Sequence, residues 1–490
     1  AQLVAVSVSP SQPVIVGVGA VTRRPDEPEL ESVDLMAESL REAGADAGPA
    51  PLLSSVDQIL VPKGTWGYPD PGRLVAERAG CGDVRTVVAE LGVSQTQLVA
   101  RACDDVASGR SVCTVVVGGE ARFAAAARRR AGNPETMETA QEGAVPDERW
   151  EPGELIISRR EIDEGLVEAV HQYALLANAR RAALGQTFDD QAAEIDALWR
   201  EMANIAVGAP TAWDRQAPTR IDEAGWGRVL ATPYRRDQVT QWTVDQAAAI
   251  VVCAADTASS LGVPVDRWVF PHAVVNANHV VHVLERERLE RCQAFAVIGR
   301  TIEAQTSWAP GDISDLELYS CFPVAVQVQR DELGLGPGPS SLLGGMTFGG
   351  GPFNNFVLCG LAAVVRAVRE SGDPGMATGI SGMLTKQGAV VVATAPKAGP
   401  VTHDVTNEAA AATGRVQSVD PAPGPATIVA ATVLHGREGP ERAVAVLDAV
   451  RGDRRGRVIA SSFDAPTIEA VATTETHALA VCLVAFLKKS

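Results

Sequence analysis

The sequence predicts an α/β fold, a parallel sheet clad in helices. Three observations carry this: short apolar runs alternate with helix-periodic segments through the first 120 residues, some of those runs lead into glycine, and the alternation returns after a differently composed stretch at 121–235. Taken in order, Pro13–Gly19 (PVIVGVG) reads as a buried strand and Val33–Glu42 as a helix with Leu35, Met36 and Leu40 at helical spacing. Val56–Val61 is a second strand, and Arg73–Arg78 a short helix after the PDPG turn. A strand at Val84–Glu90, a helix over Gln95–Ala107 and a strand at Ser111–Val117 before Gly118-Gly119 complete the set. Strand–helix–strand units of this kind build parallel sheets. Arg128–Arg130, several prolines and a helix-like piece at His171–Leu184 mark an inserted, largely helical segment. Val244–Ala254 resumes core-type sequence. A second strand-and-helix set follows at Phe295–Gly299, Asp315–Leu318, Asn354–Arg369 and Ala389–Thr394. From Pro396 onward, short alternating stretches (ATIVAATVLHG, GRVIASSFDA, HALAVCLVAFL) predict a small β-rich appended domain.

Composition narrows the function. With 490 residues, 46% of them hydrophobic, the chain has core enough for two to four domains. A net charge of −17 argues against a nucleic-acid surface and an anionic membrane surface as the main partner. The longest apolar runs, such as Ala478–Leu487, are too short for a membrane span. None of the eight cysteines forms a C-x-x-C pair, and no His/Cys cluster has zinc spacing. His279 and His282 stand three apart, but no carboxylate or cysteine completes a metal set, so no metal is expected. Isolated cysteines and the lack of a secretory leader in AQLVAVSVSPSQP lead us to expect a soluble cytoplasmic protein.

Three junctions offer chemistry. The first is Gly92-Val93-Ser94-Gln95, an elbow between strand and helix, where Ser94 is placed either to bind an anion or simply to cap the helix. The second is Glu317-Leu318-Tyr319-Ser320-Cys321-Phe322-Pro323, with Tyr319 and Cys321 on a strand-end loop, reactive in one reading and packed in the other. The third is the glycine-rich loop GGMTFGGGPFNN, Gly344–Asn355, which lets backbone approach a ligand closely. It is neither a Walker A loop nor a dinucleotide fingerprint. A further glycine turn, GISGMLTK (Gly379–Lys386), follows.

In their order and spacing, the elbow, ELYSCFP, GGMTFGGGPFNN and GISGMLTK, together with PVIVGVGAVTRR and TVDQAAAIVVCAADTASSLGVP, resemble the thiolase superfamily, especially bacterial thiolase-like proteins of the acetyl-CoA acetyltransferase group. The resemblance covers about residues 10–395. It implies a thiolase fold of two βαβαβαββ halves, 10–120 with 236–268 and 269–395, an inserted loop domain at 121–235 that binds coenzyme A, and an appended domain at 396–490. Thiolase chemistry implies a nucleophilic cysteine on the elbow, a histidine in a G-H-P loop and a second cysteine in a C-x-G loop. This chain has Ser94 on the elbow, Gly350-Gly351-Pro352 for G-H-P and Gly379-Ile380-Ser381 for C-x-G. Glycine neither transfers a proton nor forms a thioester, so classical thiolase turnover is not expected.

The expected function is therefore that of a thiolase-like acyltransferase relative, with coenzyme A or acyl-CoA as ligand and no permanently bound cofactor. Whether it is an enzyme stays open. If catalytic, Tyr319 and Cys321 are the reactive groups, with Asn354 or Asn355 as amide donors to a thioester oxyanion. Ser94, Gly350, Gly351, Arg180 and Arg181 are the candidate ligand-binding residues. The alternatives are a non-catalytic acyl-CoA binding or scaffold protein, and a retro-aldolase-like lyase in which the tail replaces a partner domain. The family implies a homodimer, while the added domain permits a monomer, and that domain is a candidate surface for a protein partner.

Overall fold

The computed structural model describes residues 8–49, 51–133, 137–420, 423–451, 454–474 and 480–482. Two sheets of like topology form its centre. The first orders six strands as Pro13–Thr22, Asp245–Ala254, Cys113–Ala121, Gln58–Pro62, Arg85–Ala89 and Glu148–Trp150. The second orders five as Asp315–Glu317, Gly375–Ser381, Lys386–Ala393, Phe270–Ala277 and Thr402–Asp404. In each half the opening strand pairs antiparallel with the closing strand, which pairs antiparallel with the next, and that one pairs parallel with a fourth. An antiparallel bridge between Ile15 and Val269 joins the two sheets.

The expectation of a parallel sheet needs correcting, because both sheets are mixed. Asp245–Ala254 and Lys386–Ala393 run against their neighbours. The right-handed crossover rule governs strands linked through a packed helix. It does not constrain Asp245–Ala254, which returns from the inserted segment, or Lys386–Ala393, which closes a tight hairpin after Ser381. A second difference concerns Phe295–Gly299. These residues lie inside a helix, Gln293–Thr306, because Phe295, Ile298 and Ile302 continue the apolar spacing at a helical period.

The helices Gln95–Ala107 and Phe356–Ser371 touch each other and strands of both sheets, forming the middle layer of five. Ser32–Asp46 and Pro71–Ala79 cover one outer face, and Gln293–Thr306 covers the other. Helix Gln95–Ala107 starts where the sequence places it. Ser94 and Gln97 make a reciprocal capping box, and Leu98, Val99, Ala102 and Val106 are buried.

The inserted segment is helical through Arg122–Arg130, Ala169–Ala183, Phe188–Gly208 and Ala217–Ala224. It ends in a short hairpin, Val229–Ala231 with Tyr234–Arg235, that joins the third sheet. The appended region supplies the rest of that sheet: Pro425–His435, Pro440–Arg451 and Arg454–Ser462 as a meander, with Ala480–Cys482 along the first of them. The Asn178 carboxamide donates to the carbonyls of Thr232 and Ala431 at 2.9 and 2.8 Å, stitching insert to tail. Buried Arg457 donates to the Arg286 carbonyl at 2.7 Å and fastens the tail to the second half. Of the HALAVCLVAFL stretch only Ala480–Cys482 is described; His477 and most of the Ala478–Leu487 run lie outside the described residues. Among the described residues no helix is long and apolar enough to cross a membrane.

Candidate functional site at the paired helix N-termini

The elbow, the glycine loop and the GIS segment meet where the two central helices begin. On the elbow, Ser94 is 4% exposed, and its hydroxyl contacts Thr96 Oγ1 at 3.1 Å and Gln97 Oε1 at 3.2 Å. The next residue, Gln95, donates its side-chain amide to Asn354 Oδ1, while Asn354 Nδ2 donates to the Lys63 carbonyl at 2.9 Å. Asn354 thus ties the glycine loop to the first half and has a positive φ of 54°. Thr96 Oγ1 donates to Asn276 Oδ1 of the second half at 2.6 Å. Asn355 turns inward, with its Nδ2 3.7 Å from Cys359 Sγ and its buried Oδ1 without a hydrogen-bond partner among the described residues.

At the two glycines that the sequence resemblance sets against the thiolase histidine and second cysteine, neighbours crowd the place of a side chain. A Cβ on Gly351 would overlap the Thr240 methyl and lie 3.2 Å from the Met346 carbonyl oxygen. Thr240 is itself pinned, since its N–H and hydroxyl donate to the Cys321 carbonyl at 3.2 and 2.9 Å. A Cβ on Gly379 would lie 3.0 Å from the Thr96 methyl and 3.3 Å from Val357. Gly350 (φ 96°) packs so tightly on the Gln246 carboxamide that no side chain fits there.

Tyr319 and Cys321 adjoin this junction. The Tyr319 N–H donates to Thr378 Oγ1 at 2.8 Å, and its ring meets Phe356 edge-on at 6.0 Å. Its hydroxyl has no hydrogen bond among the described residues. Burial pushes the Tyr319 phenol well above its usual range, with the neighbouring Cys321 adding to the effect. Cys321 lies beside the Tyr173 hydroxyl, and burial pushes its thiol up to about 12. Tyr173 donates to the Gly382 carbonyl at 2.9 Å and stacks on Phe322 at 4.4 Å, so the YSCF loop is locked to the insert and to the GIS turn. Both candidate reactive groups are therefore held protonated near neutral pH. It follows that Cys321 in the native protein should react with iodoacetamide at pH 8 at least about a thousandfold more slowly than a free thiol with a pKa near 8.5. Peptide mapping of a labelling time course checks this, and prompt Cys321 labelling before unfolding would contradict it.

Sequence reasoning had no signal for Thr96, Asn276, Tyr173 and Thr240, and none for the roles of Lys386 and Glu317 within their motifs. Thr96 and Asn276 join across 180 residues of sequence, a pairing no local pattern announces. Tyr173 and Thr240 belong to the insert and its exit. Buried Lys386 donates from Nζ to the Gly92 carbonyl at 2.9 Å, bracing the elbow, and burial lowers its pKa. Glu317 is 1% exposed and holds the glycine loop: its carboxylate accepts from Ser341 Oγ at 2.8 Å and from the N–H groups of Leu342 and Leu343 at 2.7 and 2.9 Å.

The candidate arginines of the insert are engaged elsewhere. Arg180 bridges Glu194 and Asp331 at 2.9 and 3.0 Å, and Arg181 lies over the Phe188 ring at 4.1 Å. Residues 278–282 form a loop, so His279 and His282 do not share a helical face; His282 Nε2 approaches the Leu155 carbonyl at 3.2 Å. Between the insert and the glycine loop lies a cavity of about 490 Å3, bordered by Trp213, Arg220, Arg236, Gln241 and Thr347.

No protein-family model and no curated protein matches this sequence. Solved structures do match. A monomeric SCP2-thiolase like protein type 1 from Mycobacterium smegmatis superposes with a TM-score of 0.79 at 24% identity, over 97% of each chain. The Ltp2-ChsH2(DUF35) aldolase matches with a TM-score of 0.59 at 21% identity, over 79% of this chain and 98% of its own. An acetyl-CoA acetyltransferase from Syntrophomonas wolfei matches with a TM-score of 0.52 at 16% identity, over 78% of this chain and 99% of its own. About a fifth of this chain thus has no counterpart in the last two, whereas the first spans nearly all of it. With its two matching halves paired through the helices that follow the elbow and the glycine loop, the chain has the thiolase-superfamily fold.

Proposed function

We propose that this chain binds an acyl-CoA thioester between its inserted segment and the glycine loop and holds it without classical thiolase turnover. The observation that carries this reading is the closed chemistry beside an open cavity. Ser94, Gly351 and Gly379 stand where the resemblance puts a nucleophile and two proton carriers; at Gly351 the Thr240 methyl occupies the space a side chain would take, and at Gly379 Thr96 and Val357 crowd it. Next to Gly351, whose N–H donates to the carbonyl of wall residue Gln241 at 2.9 Å, the cavity of about 490 Å3 is large enough for part of an extended thioester ligand. On its wall, half-buried Arg220 is paired with Asp214 and Asp237, and exposed Arg236 with Asp237, so a phosphate could draw on them. Both are more accessible than Arg180, whose side chain is only 12% exposed between Glu194 and Asp331.

The retro-aldolase-like alternative needs a base for the β-hydroxyl proton. Burial keeps both Tyr319 and Cys321 protonated, which leaves Tyr319 able only to return a proton to an enolate. The binding reading is therefore the better supported. The pairing of Arg85–Ala89 with Glu148–Trp150 covers an edge that a second chain would otherwise find exposed, which favours a monomer.

Calorimetric titration with coenzyme A and with short and long acyl-CoA tests the proposal. Saturable binding, about tenfold weaker in Arg220→Ala and unchanged in Tyr319→Phe and Cys321→Ala, is expected. Ligand at 100 times its Kd should also stabilise the fold by about 2.7 kcal/mol. Absence of heat with every thioester, or loss of thioester that Tyr319→Phe abolishes, would overturn it.

A further inference from the structure

A second cavity, of about 350 Å3, lies outside the junction just described. It opens beyond the carboxyl ends of Gln58–Pro62 and Cys113–Ala121, neighbouring parallel strands. From the first strand the chain runs to Arg85–Ala89 on the opposite flank, and from the second it turns into helix Arg122–Arg130. A crevice where connections from adjacent parallel strands diverge is the usual ligand position in open α/β sheets.

The walls are built rather than accidental. Trp66 and Tyr68, 4% and 2% exposed with ring centroids 5.5 Å apart, form an aromatic side. Both are fixed by hydrogen bonds, Trp66 Nε1 to the Gly119 carbonyl at 3.1 Å and the Tyr68 hydroxyl to Glu31 at 2.7 Å. Opposite stand Arg122, Arg128 and Arg129 of the helix that follows the strand. Arg128 reaches Glu29 only at 3.5 Å. The Arg122 guanidinium stacks on Trp242 at 3.9 Å and makes no hydrogen bond or ion pair among the described residues; its Nε is buried. Three carboxylates share the wall and are already supplied with donors, Glu138 accepting from the Gly67 N–H at 2.9 Å. Glu31 accepts from Tyr68, Arg78 and Thr139, and Glu120, 1% exposed, accepts from the Thr65 N–H and hydroxyl. What the cavity leaves unsatisfied is therefore cationic.

We infer that this cavity is a binding site for a small organic anion, a carboxylate or phosphate ester held by Arg122 with Arg128 and Arg129, its carbon skeleton lying against Trp66 and Met137. Burial raises the Glu120 carboxyl to about 7, so near neutrality it offers a proton to such an anion as often as it repels it. The Trp242 ring that receives Arg122 also meets Phe353 of the glycine loop at 6.4 Å.

Titration of the full chain with inorganic phosphate and, separately, with malonate tests this by calorimetry. Saturable one-to-one binding of either anion is expected, at least tenfold weaker in Arg122→Met and in Ala125→Leu, which narrows the cavity without touching a charge, and unaltered in Arg220→Ala at the other cavity. Thermal melts establish that each variant folds. Preference for phosphate or for malonate identifies which anion class the site takes. Heat that sodium chloride reproduces at equal ionic strength, or binding equal in wild type and both cavity variants, would overturn the inference.

Discussion

Ser94→Cys, Gly351→His and Gly379→Cys introduced together should yield no thiolysis of acetoacetyl-CoA and a less stable protein. The three substitutions restore the residue types that thiolase chemistry needs but not the space it needs. A Gly351 side chain overlaps the Thr240 methyl, and Thr240 cannot easily withdraw while it donates twice to the Cys321 carbonyl. A Gly379 side chain presses on Thr96, whose hydroxyl is committed to Asn276 at 2.6 Å. Overpacking of this kind costs about 1–3 kcal/mol per site, and a histidine pushed off its position cannot deprotonate a thiol. Adding Thr240→Gly should return part of the lost stability, because it removes the overlapping methyl. Thioester assays and thermal melts on the triple and quadruple variants check both statements; thiolase-like turnover in the triple variant would show that the site is merely unequipped rather than closed.

Glu317→Ala is expected to destabilise the protein by about 2–3 kcal/mol, since it leaves the buried Ser341 hydroxyl and the Leu342 N–H without their acceptor and the Leu343 N–H with only Ser341 Oγ. It should also loosen the glycine loop, because Ser341 Oγ in turn accepts from the N–H groups of Gly344 and Gly345, both at 2.8 Å. The same carboxyl carries a pH signature. Burial outweighs its hydrogen bonds and raises it from 4.5 to about 7. Between those values the folded protein keeps a proton that the unfolded chain has released, so this group's contribution falls as pH rises through the window and is lowest above it. Wild type should therefore be more stable relative to Glu317→Gln at pH 5 than at pH 8, by up to about 3 kcal/mol. Paired denaturant titrations at the two pH values measure this, and an equal gap at both would contradict it.

Much of this was readable in the chain itself. Helix Gln95–Ala107 begins at Ser94 because serine and glutamine at that spacing form a capping box, a local device with a local signature. The glycine loop was visible as composition, although its five-residue π-turn over Gly345–Gly349 was not. What escaped were pairings across distance. Leu434 pairs with Ala231, so the tail and the insert share a sheet although the sequence presents them as unrelated segments. Thr240 closes the Gly351 position from more than a hundred residues away, and a glycine in sequence does not say whether its missing side chain leaves a gap or a contact. Arg180 illustrates the same blindness for charge: its partners, Glu194 and Asp331, come from two different elements.

Native mass spectrometry of the protein saturated with an acyl-CoA tests the central claim most directly, because one spectrum reports both binding and chemistry. The account predicts a one-to-one non-covalent complex that releases intact acyl-CoA and unmodified protein on activation. A covalent acyl adduct on the protein, free coenzyme A appearing with time, or a spectrum of unliganded protein alone would contradict it.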